Sequence, residues 1–103
     1  MADSHDWYLV SSHGAILFYI AVCPDCTIKD IAQAMSLTPR TVWGVIGALR
    51  KQGMLLVRNE GRRHHYTVNL DAPLRHPVLE GYKLRDVMGE IVKQAKARGL
   101  VAV

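Results

Sequence analysis

The chain is poor in aromatic residues, at 7% with a single phenylalanine, and it has only two cysteines. Two cysteines cannot make the disulfide framework of a small secreted domain. Its longest apolar run, AILFYIAVC, is about half the ~20 residues a membrane-spanning helix needs. The same run lacks a basic leader and a small-residue cleavage site, so no secretory signal is expected and a cytoplasmic chain is the default. No phosphate-binding loop, dinucleotide fingerprint or zinc-protease motif occurs. Ser11 and Ser12 stand beside His13, but adjacency along a chain does not make a nucleophile and its base. No catalytic residue, no cofactor and no enzyme activity are expected. Internal repeats and low-complexity segments are absent as well. Acid is scarce in one stretch: Thr38 to His65 holds six arginines and lysines (Arg40, Arg50, Lys51, Arg58, Arg62, Arg63) and one acid, Glu60.

What is present fits one domain. The 103 residues are 50% hydrophobic and 21% charged, the balance of an ordinary globular protein. A formal net charge of +4 and a pI near 9.3 are compatible with an anionic partner.

The pattern reads as helix, helix, helix, hairpin, linker, helix. Ile16, Leu17, Ile20 and Ala21 suggest a first helix from about Ser12 to Val22, which Pro24 ends. In TIKDIAQAM, Thr27 and Asp30 form a near capping box, and Ile28, Ile31, Ala32 and Met35 make one buried stripe. Ser36-Leu37 makes the break. Thr38 is then a good N-cap and Pro39 a good first residue for a third helix, which Gly53 closes. Past Gly53 the runs MLLVRN and RRHHYTVN alternate as strands, joined by a turn read at Glu60-Gly61. Leu55, Val57, Tyr66 and Val68 share the buried face. Arg58, Arg63 and His65 take the other, with Arg62 at the tip. In NLDAPLRHPVLEGY, Pro73 and Pro77 are expected to prevent regular structure. Leu84, Val87, Met88, Ile91, Val92 and Ala95 then mark a last amphipathic helix.

Two helices joined by a short turn, then a basic hairpin, predict a winged helix-turn-helix: α+β, mostly α, with a two-stranded wing and an added C-terminal helix. Residues 1–70 form the DNA-binding part. Residues 71–103 supply the linker and a helix for dimerisation or packing, within the same domain.

Gly44 and Gly47 are the puzzle of the third helix, since each costs roughly 1 kcal/mol relative to alanine in a helix interior. At ~100° per residue, Val42, Val45, Ile46 and Leu49 cluster on one side, with Arg40, Gly44, Gly47 and Lys51 opposite. A face that is small in its middle and cationic at its ends suits a major groove, where the backbone must come close while cations reach phosphates or guanine edges. The competing explanation is a close crossing by another helix of the domain. Trp43 and Arg50 lie on one flank, Thr41 and Ala48 on the other. Trp43 also fits half-buried packing, which leaves Arg40 and Thr41 as the better candidates for contact. The expected DNA-binding set is Thr38, Arg40, Thr41, Trp43, Gly44, Gly47, Lys51, Arg58, Arg62 and Arg63.

The stretch TIKDIAQAMSLTPRTVWGVIGALRKQGMLLVRNEGRRHHYTVN resembles the winged helix-turn-helix of small prokaryotic transcriptional regulators of the MarR/ArsR type. The wider frame, with His13-Gly14 opening the first helix and Ala72-Pro73-Leu74-Arg75-His76-Pro77 after the wing, is similar to a set of such regulators. The resemblance implies sequence-specific binding of double-stranded DNA and transcriptional control. Gly44 and Gly47 stand where many relatives carry larger polar side chains, which shifts weight for base readout to Arg40, Thr41 and Lys51.

Three other features complete the reading. Cys23-Pro24-Asp25-Cys26 has the spacing of half a zinc site or a redox pair, but no second pair of ligands is evident, so no metal is expected. A thiol- or metal-responsive regulator using Cys23 and Cys26 remains an alternative, as does a winged-helix module that binds protein and not DNA. His64 and His65 point to opposite faces of a strand and, with His76, read as a solvated wing edge. The stripe Leu84, Val87, Met88, Ile91, Val92 and Ala95 predicts a homodimer interface, against the alternative that it packs on the first helix. An effector is not legible.

Overall fold

A computed structural model describes residues 10–60 and 63–98. Helix α1 spans Ser12–Val22, α2 Ile28–Met35 and α3 Pro39–Lys51; strands β1 Leu55–Glu60 and β2 Arg63–Val68 follow, and α4 spans Leu84–Ala97. This is a mostly helical α+β winged helix, as the sequence predicts.

α1 is apolar on nearly every side because it is the centre of the molecule. It packs against α2, α3, β2 and α4, and Ile16, Leu17 and Ile20 are all buried. A helix surrounded by partners has no solvent face to keep polar. Ser11 starts it, its hydroxyl accepting from Gly14 N–H at 3.3 Å.

The helix-turn-helix is written in caps. Thr27 Oγ1 accepts from Asp30 N–H while the Asp30 carboxylate accepts from Thr27 N–H, both at 3.0 Å. Those bonds hold the Asp30 carboxyl below its ordinary value. α2 ends at Ser36, which takes the left-handed conformation (φ 56°) with Leu37 N–H donating to Ala32 O at 2.9 Å. A left-handed turn of one residue reverses the chain within the space two packed helices allow. Thr38 and Pro39 then restart it as α3. α3 closes the same way: Gly53 sits at φ 74°, with Gly53 N–H on Arg50 O and Met54 N–H on Leu49 O, both at 3.0 Å.

β1 and β2 are antiparallel, with Leu55 opposite Val68 and Val57 opposite Tyr66. Leu55 and Tyr66 are buried against the helices, and Val57 and Val68 are half-buried. Glu60 is still paired with Arg63, so the turn is not at Glu60-Gly61. The connection is residues 61 and 62, which lie outside the described residues.

The segment after the wing is more ordered than its prolines predict. Pro77 opens a short 3-10 helix, Pro77–Leu79, where its missing N–H costs nothing, and His76 Nδ1 caps it by accepting from Val78 N–H at 3.1 Å. Pro73 pairs with Lys83 in a bridge flanked by Leu74 N–H to Tyr82 O and Leu84 N–H to Ala72 O, both 2.9 Å. Arg85 also holds the Asp71 carboxylate at 2.8 Å. These bonds lead directly into α4, where Asp86 accepts from Lys83 N–H at 2.8 Å.

α4 divides the predicted stripe. Leu84, Met88 and Ala95 are buried within the chain, Val92 is half-buried, and Val87 and Ile91 are 45% and 50% exposed.

Candidate nucleic-acid interface

α3 is anchored by one face. Val42 and Ile46 are fully buried and Val45 and Leu49 nearly so. Arg40, Thr41, Trp43, Gly44, Gly47, Arg50 and Lys51 are exposed. The phase predicted from sequence is the observed one. A Cβ added at Gly44 or at Gly47 would meet nothing within 4 Å, so among the described residues no helix crosses there and neither glycine is needed for packing.

The start of α3 carries a linked pair of hydroxyls. Thr38 Oγ1 accepts from Thr41 N–H at 3.2 Å and donates to Thr41 Oγ1 at 3.0 Å. The bond fixes the Thr41 rotamer at the exposed N-terminal turn, where unpaired backbone N–H groups and the helix dipole favour an anion. Arg40 stands beside it. Lys51 lies eleven residues on, about 16 Å along the axis at 1.5 Å per residue. The outer face therefore offers positive ends and a flat middle.

The wing continues this charge. Arg58 is exposed on β1 opposite His65, and Arg63 lies in β2 opposite Glu60. Arg62 is outside the described residues. Residues 38–65 hold six of the thirteen arginines and lysines but one of the nine acids, leaving the rest of the chain with seven bases and eight acids. The positive charge of the protein thus resides on this helix and hairpin.

The two elements are joined through His64, a residue expected from sequence at a solvated wing edge. His64 is half-buried on the Tyr66 side of the wing, stacked on Tyr66 with ring centroids 6.3 Å apart. Trp43 of α3 stands edge-on to it at 5.9 Å. Among the described residues, His64 Nδ1 is buried with no hydrogen-bond partner. His65, on the opposite face, binds the Asp25 carboxylate through Nδ1 at 2.8 Å. His76 is a helix cap. None of the three is a plain wing edge. Strand alternation could have found His64, because it shares a face with buried Tyr66; nothing local marks Asp25 as the partner of His65, forty residues away.

The C-x-x-C stretch is the loop between α1 and α2. Cys23 is half-buried and Cys26 buried, both as free thiols. Burial, and secondarily Cys23, pushes the Cys26 thiol up to about 12. Among the described residues no group of three or more His, Cys, Asp or Glu side chains is placed to hold a metal. No described helix is long and apolar enough to cross a membrane.

Residues 11–55 match the family of winged helix-turn-helix DNA-binding domains, which covers α1, α2, α3 and the start of the wing. In fold the chain is similar to the crystal structure of MepR, a transcription regulator of the Staphylococcus aureus multidrug efflux pump MepA. The TM-score is 0.58 at 19% identity, over 88% of this chain and 63% of that one. This chain thus spans less than two thirds of that protein's length. No curated protein sequence matches it. Helices, turn and wing together define a winged helix-turn-helix protein.

Proposed function

We propose that this protein is a transcriptional regulator that reads duplex DNA with α3 in the major groove and the basic wing along the backbone. The observation that carries the reading is the outer face of α3: open space over Gly44 and Gly47, with Arg40 and Lys51 exposed at the two ends. Backbone can approach base edges over the glycines while the cations reach phosphates. Arg40 and Thr41 are the residues for base or phosphate contact at the helix start, and Thr38 holds Thr41 in place. Trp43 buttresses the wing through His64. Arg58, Arg62 and Arg63 neutralise backbone phosphates. The protein acts by binding and not by catalysis, in the cytoplasm of a prokaryotic cell.

The functional unit is a homodimer, in which residues 71–103 complete the DNA-binding part. Val87 and Ile91 leave an apolar edge on α4, continuous with half-buried Val92, that a second copy covers. Leu84, Met88 and Ala95 support that edge from within each chain. A two-fold axis presents the two recognition helices to successive major grooves, about 34 Å apart.

The test is binding to fluorescent duplex DNA, with wild type beside an Arg62→Ala, Arg63→Ala double variant. Weaker binding of the double variant to all sequences alike supports the reading. Equal binding by the two proteins contradicts a phosphate-contacting wing.

A further inference from the structure

We propose that Cys23 and Cys26 form a redox switch on the DNA interface, in which their oxidation to a disulfide loosens the wing and weakens DNA binding. The inference rests on the DNA-binding reading above and adds a regulatory input to it.

The geometry begins with the turn. Cys26 N–H donates to Cys23 O at 3.2 Å, which folds the four residues into a closed turn at the end of α1. A turn closed by that bond keeps its first and last Cα atoms within about 7 Å, inside the reach of a disulfide. Cys23 is partly accessible and Cys26 lies in the core at 4% exposure. A buried cysteine alone is commonly just a small apolar residue. That explanation covers Cys26 and leaves its half-exposed partner at the right spacing unexplained.

The two residues between the cysteines hold the wing. Pro24 O accepts from Tyr66 N–H at 3.2 Å, and the Asp25 carboxylate binds His65 Nδ1 at 2.8 Å. Consecutive loop residues therefore grip consecutive residues of β2. Tyr66 in turn carries His64, on which Trp43 of α3 rests. A displacement of this loop is passed to both DNA-contacting elements through two bonds.

The chemistry is thiol–disulfide exchange with a low-molecular-weight disulfide as oxidant. The Cys23 thiol loses its proton, and its sulfur attacks one sulfur of the oxidant, releasing the first thiol. Cys26 then gives its proton to solvent, and its sulfur attacks Cys23 in the mixed disulfide, releasing the second. The protein gives up two electrons and two protons, and the oxidant becomes two thiols. The buried Cys26 is the resolving group, since its raised pKa leaves little thiolate for first attack. Bond formation draws the two sulfurs into covalent contact, about 2 Å apart. Cys26 is fixed in the core, so Cys23, Pro24 and Asp25 must move, and the bonds to Tyr66 and His65 go with them.

The experiment uses the full chain, reduced with dithiothreitol or oxidised with glutathione disulfide, and reads three quantities. Intact mass should show loss of two hydrogens in the wild type. Exchange of the Tyr66 amide with solvent should become faster on oxidation. Affinity for duplex DNA should fall about ten-fold, the scale of one net hydrogen bond. Cys23→Ser, at a half-exposed position, should keep the reduced behaviour under both treatments, as should Cys26→Ala if it folds. A glutathione adduct that never resolves, or a disulfide that leaves Tyr66 exchange and DNA affinity unchanged, overturns the switch. If the reduced protein fails to bind DNA, the DNA-binding reading falls, while Tyr66 exchange still decides whether the cysteines control the wing.

Discussion

α3 and α4 are amphipathic helices of nearly equal length, 13 and 14 residues, and they expose opposite chemistry. α3 buries its whole apolar stripe and turns outward two glycines between cations. α4 buries part of its stripe and turns outward Val87 and Ile91. A bare cationic face suits a polyanion that must approach the backbone closely. An apolar edge suits a surface that excludes water. Under the proposed function the two faces take different partners, DNA and a second copy, from the same type of element.

The largest way to disturb this comparison is on the inner face of α3. Ile46 is fully buried, so Ile46→Ala removes core contacts and leaves a cavity, at a cost of about 2–5 kcal/mol. A urea melt should show the midpoint collapse, with DNA binding lost together with the fold. A small shift would mean that α3 is not anchored as described.

Next comes the core beneath the wing, which pH can probe. The Cys26 thiol is raised from 9.0 to about 12 in the folded protein. Its contribution to stability is therefore fully present below pH 9 and is lost as pH rises through 9 toward 12, since the unfolded chain ionises first. Thermal melts across that window should fall more steeply for wild type than for Cys26→Ala. Identical slopes would contradict the burial of this thiol. At the acid end the depressed Asp30 and Asp71 carboxyls act oppositely: their contribution is present above 3.8 and lost as pH falls through their lower folded values.

Gly47→Leu separates fold from function. With open space at its Cβ, the larger side chain should stabilise the helix by up to about 1 kcal/mol while impairing DNA binding. Loss of stability would show a packing role; unimpaired binding would take the groove away from this face.

The smallest effect on folding is expected at the exposed edge of α4. Ile91→Glu should barely move the melting temperature, yet turn a sedimenting dimer into a monomer at micromolar concentration. A wild type that sediments as a monomer throughout removes the second copy from the account.

Where the sequence was legible, it was legible through local physics. Thr27, Asp30, Thr38, Pro39 and Gly53 act within a few residues, and the α3 stripe follows from 3.6-residue periodicity, so caps, bounds and phase could be read directly. Ser36 is legible as a break, but its left-handed turn depends on the fit of α2 against α3. Pro73 and Pro77 predict a break in regular structure, whereas the order of the linker comes from backbone pairing with the approach to α4. The ties from Asp25 to His65 and from Trp43 to His64 join distant segments, which no spacing rule reveals. The α4 stripe gave its apolar positions but not their division between α1 and the outside, because that depends on where the helix docks.

The most direct test of the central claim, that α3 and the wing form one cationic surface for duplex DNA, is the salt dependence of binding to random-sequence duplex. Each neutralised phosphate should contribute roughly −0.9 to the slope of log affinity against log salt. The account predicts a slope of several such units for the wild type, made shallower by about one unit in Arg40→Ala and again in Lys51→Ala. A flat dependence, or no binding at low salt, would contradict it.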